Sequence, residues 1–211
     1  MQMTYQHISV VPVPGALGAE VSGFDPDALT KPVVDEITRA FHEHHVVFFR
    51  DLQLSPKAQT SFGLRFGELE DYPFVAPIDG HPKIIPVIKE ADELTNFGGG
   101  WHTDLIYTYE PPSATMLYAV EGPQRGGDTM FADGTKAFDS MSPGMQALCE
   151  KLSVVYSVKH VAKAVAQRSG GRSAVNRSMP SRRDQAVLDA EPVHPLVRTH
   201  PATRTKNLYF S

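Results

Sequence analysis

Short apolar runs separated by turn residues dominate this sequence. Its 211 residues include 16 glycines and 17 prolines, and Gly, Pro, Asp and Asn interrupt most of the intervals between the runs. A helix-like pattern at Val34, Ile37 and Phe41 alternates with strand-like runs over 84–88 and 114–120. Such alternation favours a β-sandwich flanked by helices over a parallel, doubly wound sheet.

Helix starts are marked by hydroxyl residues next to proline or lysine. Thr30 can cap the first helix, and the pairs Ser55-Pro56 and Ser142-Pro143 predict two more. The helix that begins at Ser55-Pro56 is expected to end at Gly67, because glycine readily adopts the left-handed conformation that ends helices. Further buried strands are predicted over 45–50 and 154–158.

Charge and cysteine content exclude several classes of function. The chain has 20 basic and 24 acidic residues, a net charge of −4, which gives no general attraction to nucleic acid or to an anionic membrane. Cys149 is the single cysteine, so neither an internal disulfide nor a cysteine-based metal cluster is expected. The N-terminal residues lack a signal-peptide pattern, and no apolar run is long enough to span a bilayer. We expect a cytoplasmic protein.

A basic segment extends over residues 168–183, with five arginines spread among Ser, Gly and Asn. Nucleic-acid binding is conceivable there, but the segment lacks the interleaved aromatic residues that stack on bases. We interpret it as a solvated loop, which could act as a lid over an anionic ligand.

The segment Gly98-Gly99-Gly100-Trp101-His102-Thr103-Asp104 holds the strongest chemical signal. On an extended segment, residues two apart point to the same side, so His102 and Asp104 could bind one metal ion together. They supply two of the three ligands of the two-histidine, one-carboxylate triad that holds non-haem Fe(II). An isolated His-x-Asp tripeptide is weak evidence, since the chain contains nine histidines.

Motifs on both sides of this pair strengthen the interpretation. Asp104 is followed by Glu110-Pro111-Pro112 and then by Gly126-Gly127-Asp128-Thr129. With these motifs in this order, the chain resembles the taurine dioxygenase and 2,4-dichlorophenoxyacetate dioxygenase family of Fe(II)- and 2-oxoglutarate-dependent oxygenases. The resemblance covers nearly the whole chain, and its further matches are Leu17 to Gly23, Val46 to Asp51, Arg65 to Leu69 and His194 to Pro201.

This resemblance implies a fold, a cofactor set and a reaction. The fold is a mainly β, α+β domain, a cupin-like double-stranded β-helix (jelly roll) with flanking helices. His102 and Asp104 match the positions of two of the family's iron ligands, at its catalytic centre. Thr129 matches the position of a threonine that helps to bind 2-oxoglutarate. With Fe(II), 2-oxoglutarate and O₂, such enzymes hydroxylate a C–H bond and release succinate and CO₂.

The resemblance also implies a small anionic organic substrate and a homo-oligomer, dimer or tetramer. Four residues match positions near the substrate: Tyr72, Leu105, Tyr107 and Tyr209. In taurine-specific members a histidine that helps to bind the sulfonate stands where Tyr72 stands here. Because tyrosine brings a hydrogen-bond donor without positive charge, we expect an anion larger or less polar than taurine: another sulfonate, a sulfate ester or an aryloxyalkanoate.

One departure from the family pattern leaves alternatives open. The family's third ligand, a histidine, and the arginine that binds 2-oxoglutarate lie further along than residue 211. His194 and His200 match a different segment and are interpreted as structural. We therefore expect one domain over 1–211 that lacks the C-terminal jelly-roll strands. Two other interpretations of the function are an inactive jelly roll that only binds a ligand or partner, and another metal-dependent enzyme on a cupin-like barrel.

Overall fold

The computed structural model describes residues 4–15, 17–93, 96–159 and 178–210. It divides into two compact units, the first formed by 1–68, 116–140 and 199–207, and the second by 69–115, 141–198 and 208–211. Most of the basic segment 168–183 lies outside the described residues, so its interpretation as a lid stays a prediction. Among the described helices, none is long and apolar enough to cross a membrane.

The first unit is built on a three-stranded sheet. Strand β1 (Ser9–Pro12) pairs antiparallel with β2 (Ala19–Ser22), which pairs in parallel with β3 (Val47–Phe48). Helix α1 (Lys31–His44) connects β2 to β3, as a parallel pair requires. The helix contributes Ile37 and Ala40 to a buried apolar cluster with Ile8 and Val21. Burial of these side chains gives the sheet and the helix a common core.

Two shorter helices complete this unit. Helix α2 (Pro56–Gly63) begins as predicted: Ser55 Oγ accepts a hydrogen bond from the backbone N–H of Ala58, and Pro56 occupies the first turn. It ends at Gly63, before the predicted Gly67. Helix α3 (Gly134–Asp139) is capped by the carboxylate of Asp133, which accepts from the N–H groups of Thr135 and Lys136.

The second unit contains helix α4 (Pro143–Cys149), strand β4 (Ser153–Val155), helix α5 (Gln185–Asp189) and strand β5 (Val193–Pro195), with β4 antiparallel to β5. Ser142 caps α4 through the backbone N–H of Met145, as its position before Pro143 predicted. A final pair of strands, β6 (Val197–Thr199) and β7 (Lys206–Leu208), forms a two-stranded sheet.

Two predicted strands are absent from the described residues. The run 84–88 follows a turn in which the N–H of Ile84 bonds to the carbonyl of His81, and Pro86 cannot donate to a strand ladder. The run 114–120 meets no partner strand among the described residues, and its Leu117 and Val120 side chains are exposed. A strand needs a hydrogen-bonded neighbour, which an apolar run alone does not provide.

Glu36 attaches the N-terminal segment to α1. Its two carboxylate oxygens accept hydrogen bonds of 2.8 Å from the backbone N–H groups of Gln6 and His7. Burial raises the pKa of this carboxyl, but the two N–H donors, with smaller contributions from the charges of His7 and Arg39, bring it below its ordinary value. The ionised form of Glu36 therefore stabilises the folded chain.

We predict that Glu36→Gln lowers the free energy of unfolding by about 1.5–3 kcal/mol, because an amide cannot accept both N–H groups as a carboxylate does. Asp35→Asn is the matched control on the same helix, since Asp35 forms an exposed ion pair with Lys31, and this substitution should change stability by less than about 0.5 kcal/mol. Urea unfolding measures both. Equal effects of the two substitutions would contradict this role.

The pH dependence supplies a second measurement of Glu36. A carboxyl whose pKa is lowered by folding stabilises the protein above its unfolded pKa, and this stabilisation is lost as the pH falls through the folded pKa. The difference in stability between the native chain and Glu36→Gln should therefore shrink on acidification below the ordinary pKa of glutamate. A constant difference down to the folded pKa would contradict the assignment.

Candidate metal centre

The loop that carries His102 and Asp104 has unusual backbone angles on both sides of the pair. Gly98 has φ +66°, a left-handed conformation that glycine adopts without strain. Leu105, directly after Asp104, has φ +50°, which is uncommon for a residue with a branched side chain. The turn is closed by hydrogen bonds from the N–H of Thr108 and its hydroxyl to the Leu105 carbonyl. The pair thus lies on a specifically shaped turn.

The potential metal-binding atoms of the two side chains lie close together. His102 Nε2 lies 3.1 Å from Asp104 Oδ1, and each side chain is 47% exposed. His102 Nδ1 lies 2.8 Å from the carbonyl oxygen of Gly100. A carbonyl oxygen can only accept, so Nδ1 carries the proton and the Nε2 atom is directed towards Asp104.

This arrangement fits two adjacent ligands of a divalent metal ion. Imidazole nitrogen and carboxylate oxygen bind divalent ions such as zinc at about 2.0–2.2 Å, and two ligands at that distance lie about 3 Å apart at the right angle of an octahedral site. The observed separation is 3.1 Å. The hydrogen bond from Nδ1 to Gly100 is the kind of outer contact that fixes the tautomer and the ring orientation of metal-binding histidines. Both features support the predicted roles of His102 and Asp104.

A third ligand does not join them within the described ranges, where no group of three His, Cys, Asp or Glu could hold a metal ion. His194 is buried, and its Nε2 lies 2.9 Å from the carbonyl oxygen of Thr108. His200 Nδ1 accepts from the backbone N–H groups of Ala202 and Thr203. Burial, then the charges of His42 and His45, lower its pKa. These contacts support structural roles for both histidines.

Tyr72 and Tyr107 lie in one aromatic cluster with Phe74 and Phe97. The ring centroid of Tyr72 lies 6.2 Å from that of Phe74 and 6.1 Å from that of Phe97. The ring centroids of Phe74 and Tyr107 are 5.8 Å apart. Burial raises the pKa of both tyrosines, and the negative charge of Asp104 raises each further. The cluster therefore lies within electrostatic range of the proposed metal ligand, and both phenols stay protonated at neutral pH.

The other predicted site residues have different surroundings. Leu105 is half-buried next to Asp104. Tyr209 packs against His194, with ring centroids 5.8 Å apart, and beneath the guanidinium of Arg198. Thr129 is exposed in an irregular segment of the first unit, after Gly126 and Gly127, which both have positive φ. The structure brings Tyr72, Tyr107 and Asp104 together, and the roles of Thr129 and Tyr209 remain predictions.

Phe74 and Phe97 were not predicted as site residues. Phe74 lies two positions after Tyr72, so alternation along an extended segment could have indicated it. Phe97 directly precedes the glycine run. Its contact with Tyr72 joins residues 25 positions apart and depends on the tertiary fold, which no local sequence pattern predicts.

Two potential ligand atoms 3.1 Å apart on a glycine-flanked turn, with half-buried phenols nearby, define a candidate mononuclear metal protein. The comparisons identify its family. A model of the "Taurine catabolism dioxygenase TauD, TfdA family" matches residues 9–211, and the chain belongs to this family.

Curated relatives and solved structures agree with this assignment. The chain is 34% identical over 210 residues to an alpha-ketoglutarate-dependent sulfonate dioxygenase of Saccharomyces cerevisiae, covering 92% of this chain and 47% of the relative. It is 28% identical to an alpha-ketoglutarate-dependent sulfate ester dioxygenase of Pseudomonas putida, covering 95% and 65%. A taurine dioxygenase structure from Burkholderia xenovorans superposes with a TM-score of 0.72 at 29% identity, covering 97% and 64%.

These comparisons confirm the predicted family and, through it, the jelly-roll fold class. The curated relatives are alpha-ketoglutarate-dependent dioxygenases, which agrees with the predicted reaction class and with 2-oxoglutarate as a cosubstrate. The chain spans about half to two thirds of the length of these relatives.

Proposed function

We propose that the protein is an Fe(II)- and 2-oxoglutarate-dependent dioxygenase that hydroxylates a small organic anion and releases succinate and CO₂. The observation that supports this most directly is the 3.1 Å approach of His102 Nε2 to Asp104 Oδ1. Fe(II) held there, with 2-oxoglutarate and O₂, supplies the oxidation of the C–H bond. The chain contributes the two ligands, the orientation of His102 through Gly100, and the aromatic cluster beside Asp104.

The proposed substrates are sulfonates, sulfate esters or aryloxyalkanoates larger or less polar than taurine. The names of the relatives include sulfonate and sulfate ester dioxygenases. The environment of Tyr72 supports a less polar body, because its neighbours Phe74 and Phe97 offer aromatic faces. Such faces bind alkyl and aryl groups by excluding water.

A succinate-release screen tests both parts of this proposal. The protein expressed from its complete gene is incubated with Fe(II), 2-oxoglutarate and O₂, with taurine, hexane-1-sulfonate, hexyl sulfate or phenoxyacetate. We expect substrate-dependent succinate from one or more of the larger anions, and none from His102→Ala. Strong coupled turnover of taurine alone would contradict the substrate preference. Metal binding without succinate formation for any anion would favour the alternative of another metal-dependent enzyme.

Thr129 is proposed to donate a hydrogen bond to the distal carboxylate of 2-oxoglutarate. Loss of one hydrogen bond to a charged group costs about 1.5–3 kcal/mol, so Thr129→Val should raise the apparent 2-oxoglutarate requirement about tenfold or more. Thr135→Val serves as the control, because Thr135 lies in α3 and contributes its backbone N–H to the helix cap. An unchanged 2-oxoglutarate dependence of Thr129→Val would refute the role.

A further inference from the structure

A short antiparallel pairing of two segments lies beside the aromatic cluster. The backbone N–H of Ala76 donates to the carbonyl of Pro180 over 2.8 Å, and the N–H of Arg182 donates to the carbonyl of Phe74 over 3.0 Å. Because the two segments run in opposite directions, these bonds place Arg182 directly opposite Phe74. Phe74 is the ring that contacts both tyrosines of the cluster.

The two faces of this pairing differ in burial. Val75 lies opposite Ser181. Val75 is fully buried and Met179 is 4% exposed, so their face is turned to the interior. Residues directly opposite each other in an antiparallel pair share a face, and neighbours along a strand alternate between faces. Phe74 and Arg182 therefore lie on the other face, which is the face of the aromatic cluster.

A buried carboxylate fixes the start of the segment that carries Arg182. Glu93 is 9% exposed. Its Oε1 atom accepts from the N–H of Ser178 over 3.1 Å, and its Oε2 atom accepts from the Ser178 hydroxyl and from the N–H of Glu90, each over 2.8 Å. Because hydrogen bonds hold both ends of 178–182, the backbone of Arg182 has a defined position.

The side chain of Arg182 is a cation at the edge of an apolar surface. It is exposed, and no ion pair between described residues involves it. A guanidinium group stays charged and binds the oxygens of an anion through two parallel N–H groups. The neighbouring aromatic faces of Phe74 and Tyr72 bind apolar groups by excluding water. A cation beside such faces suits an anion with an apolar body.

We propose that Arg182 is a specificity-determining residue whose guanidinium binds the anionic head of the substrate while the apolar body of the substrate lies against Phe74 and Tyr72. This inference rests on the proposed function and deepens it, since Arg182 is not among the positions that the family resemblance places near the substrate. Opposite residues have Cβ atoms about 4.5–5.5 Å apart, and an arginine side chain is long enough to extend its charge beyond the Phe74 ring. An anion bound there favours a body longer than that of taurine.

Charge-removing and charge-keeping substitutions test this role in the protein expressed from its complete gene. The variants are Arg182→Gln and Arg182→Lys, and both keep the backbone N–H that bonds to Phe74. Arg183→Gln is the matched control, because it removes the same charge one residue further on, where alternation turns the side chain away from the cluster. For each protein, kcat and KM are measured with hexane-1-sulfonate and hexyl sulfate at increasing KCl concentration. Calorimetry gives the dissociation constants of both anions.

We expect Arg182→Gln to raise KM and the dissociation constant about tenfold at low salt, with kcat and the 2-oxoglutarate requirement unchanged. Arg182→Lys should raise them about threefold, since it keeps the charge without the paired N–H groups. KCl should weaken anion binding by the native protein and by Arg183→Gln more steeply than by Arg182→Gln, because salt screens the charge that only Arg182→Gln lacks. Equal effects of Arg182→Gln and Arg183→Gln, or an unaltered salt dependence in Arg182→Gln, would overturn the inference.

The absorption band of the anaerobic Fe(II)–2-oxoglutarate complex separates this inference from the proposed function. The native protein and all three variants should form the band, because His102 and Asp104 are intact in each. A native protein that forms the band but binds neither anion overturns the inference and leaves the dioxygenase assignment intact. Absence of the band from the native protein contradicts the proposed function, whereas calorimetry of Arg182→Gln against Arg183→Gln still decides whether Arg182 binds the anions.

Discussion

Replacing His102 or Asp104 with alanine is expected to weaken the binding of Mn(II) by about a hundredfold or more, because removing even an outer contact of a metal ligand costs about 10–100-fold. Mn(II) is a divalent ion that carboxylate ligands suit, and its binding can be followed by electron paramagnetic resonance. Each substitution removes one of the two donor atoms that approach to 3.1 Å.

Matched substitutions within the same compact unit provide the controls. His81→Ala removes a histidine whose backbone bonds to Ile78 and Ile84, and Asp79→Ala removes an exposed carboxylate. Both should leave Mn(II) affinity unchanged. Native affinity in both His102→Ala and Asp104→Ala would contradict the assignment of these residues as ligands.

Gly98→Ala is expected to lower Mn(II) affinity about tenfold or more through the orientation of His102. A Cβ atom at residue 98 would lie 3.0 Å from His102 Cε1 and 3.5 Å from Nε2, and the φ of +66° strains any residue with a side chain. Relief of this contact requires the imidazole to move, and the Nε2 atom moves with it.

Gly100→Ala is the control for Gly98→Ala. A Cβ atom there meets no heavy atom within 4 Å, and the residue does not have a left-handed φ. The substitution also keeps the carbonyl that accepts from His102 Nδ1. Gly100→Ala should therefore bind Mn(II) as the native protein does. Equal losses in both variants would indicate general flexibility of the glycine run instead of steric contact with the ligand.

Local sequence signals predicted the features that depend on neighbouring residues. Ser55-Pro56 and Ser142-Pro143 begin helices because a serine hydroxyl can accept from the N–H three residues later and proline fits the first turn. The His102-x-Asp104 spacing likewise brought two ligand atoms together, since only one residue separates them.

Features that depend on distant partners were not predictable in the same way. The strand predicted over 45–50 is reduced to Val47–Phe48, the two residues that pair with β2, and the run 114–120 meets no partner within the described residues. Similarly, the contact of Phe97 with Tyr72 arises from tertiary packing.

His102 and Asp104 are proposed to hold Fe(II) together with 2-oxoglutarate, and an anaerobic spectral titration tests this role most directly. Fe(II) is added to the protein expressed from its complete gene, with and without 2-oxoglutarate. We predict a visible charge-transfer band that needs both Fe(II) and 2-oxoglutarate and is lost in His102→Ala and in Asp104→Ala. Retention of the band in both variants, or its absence from the native protein, would contradict the claim.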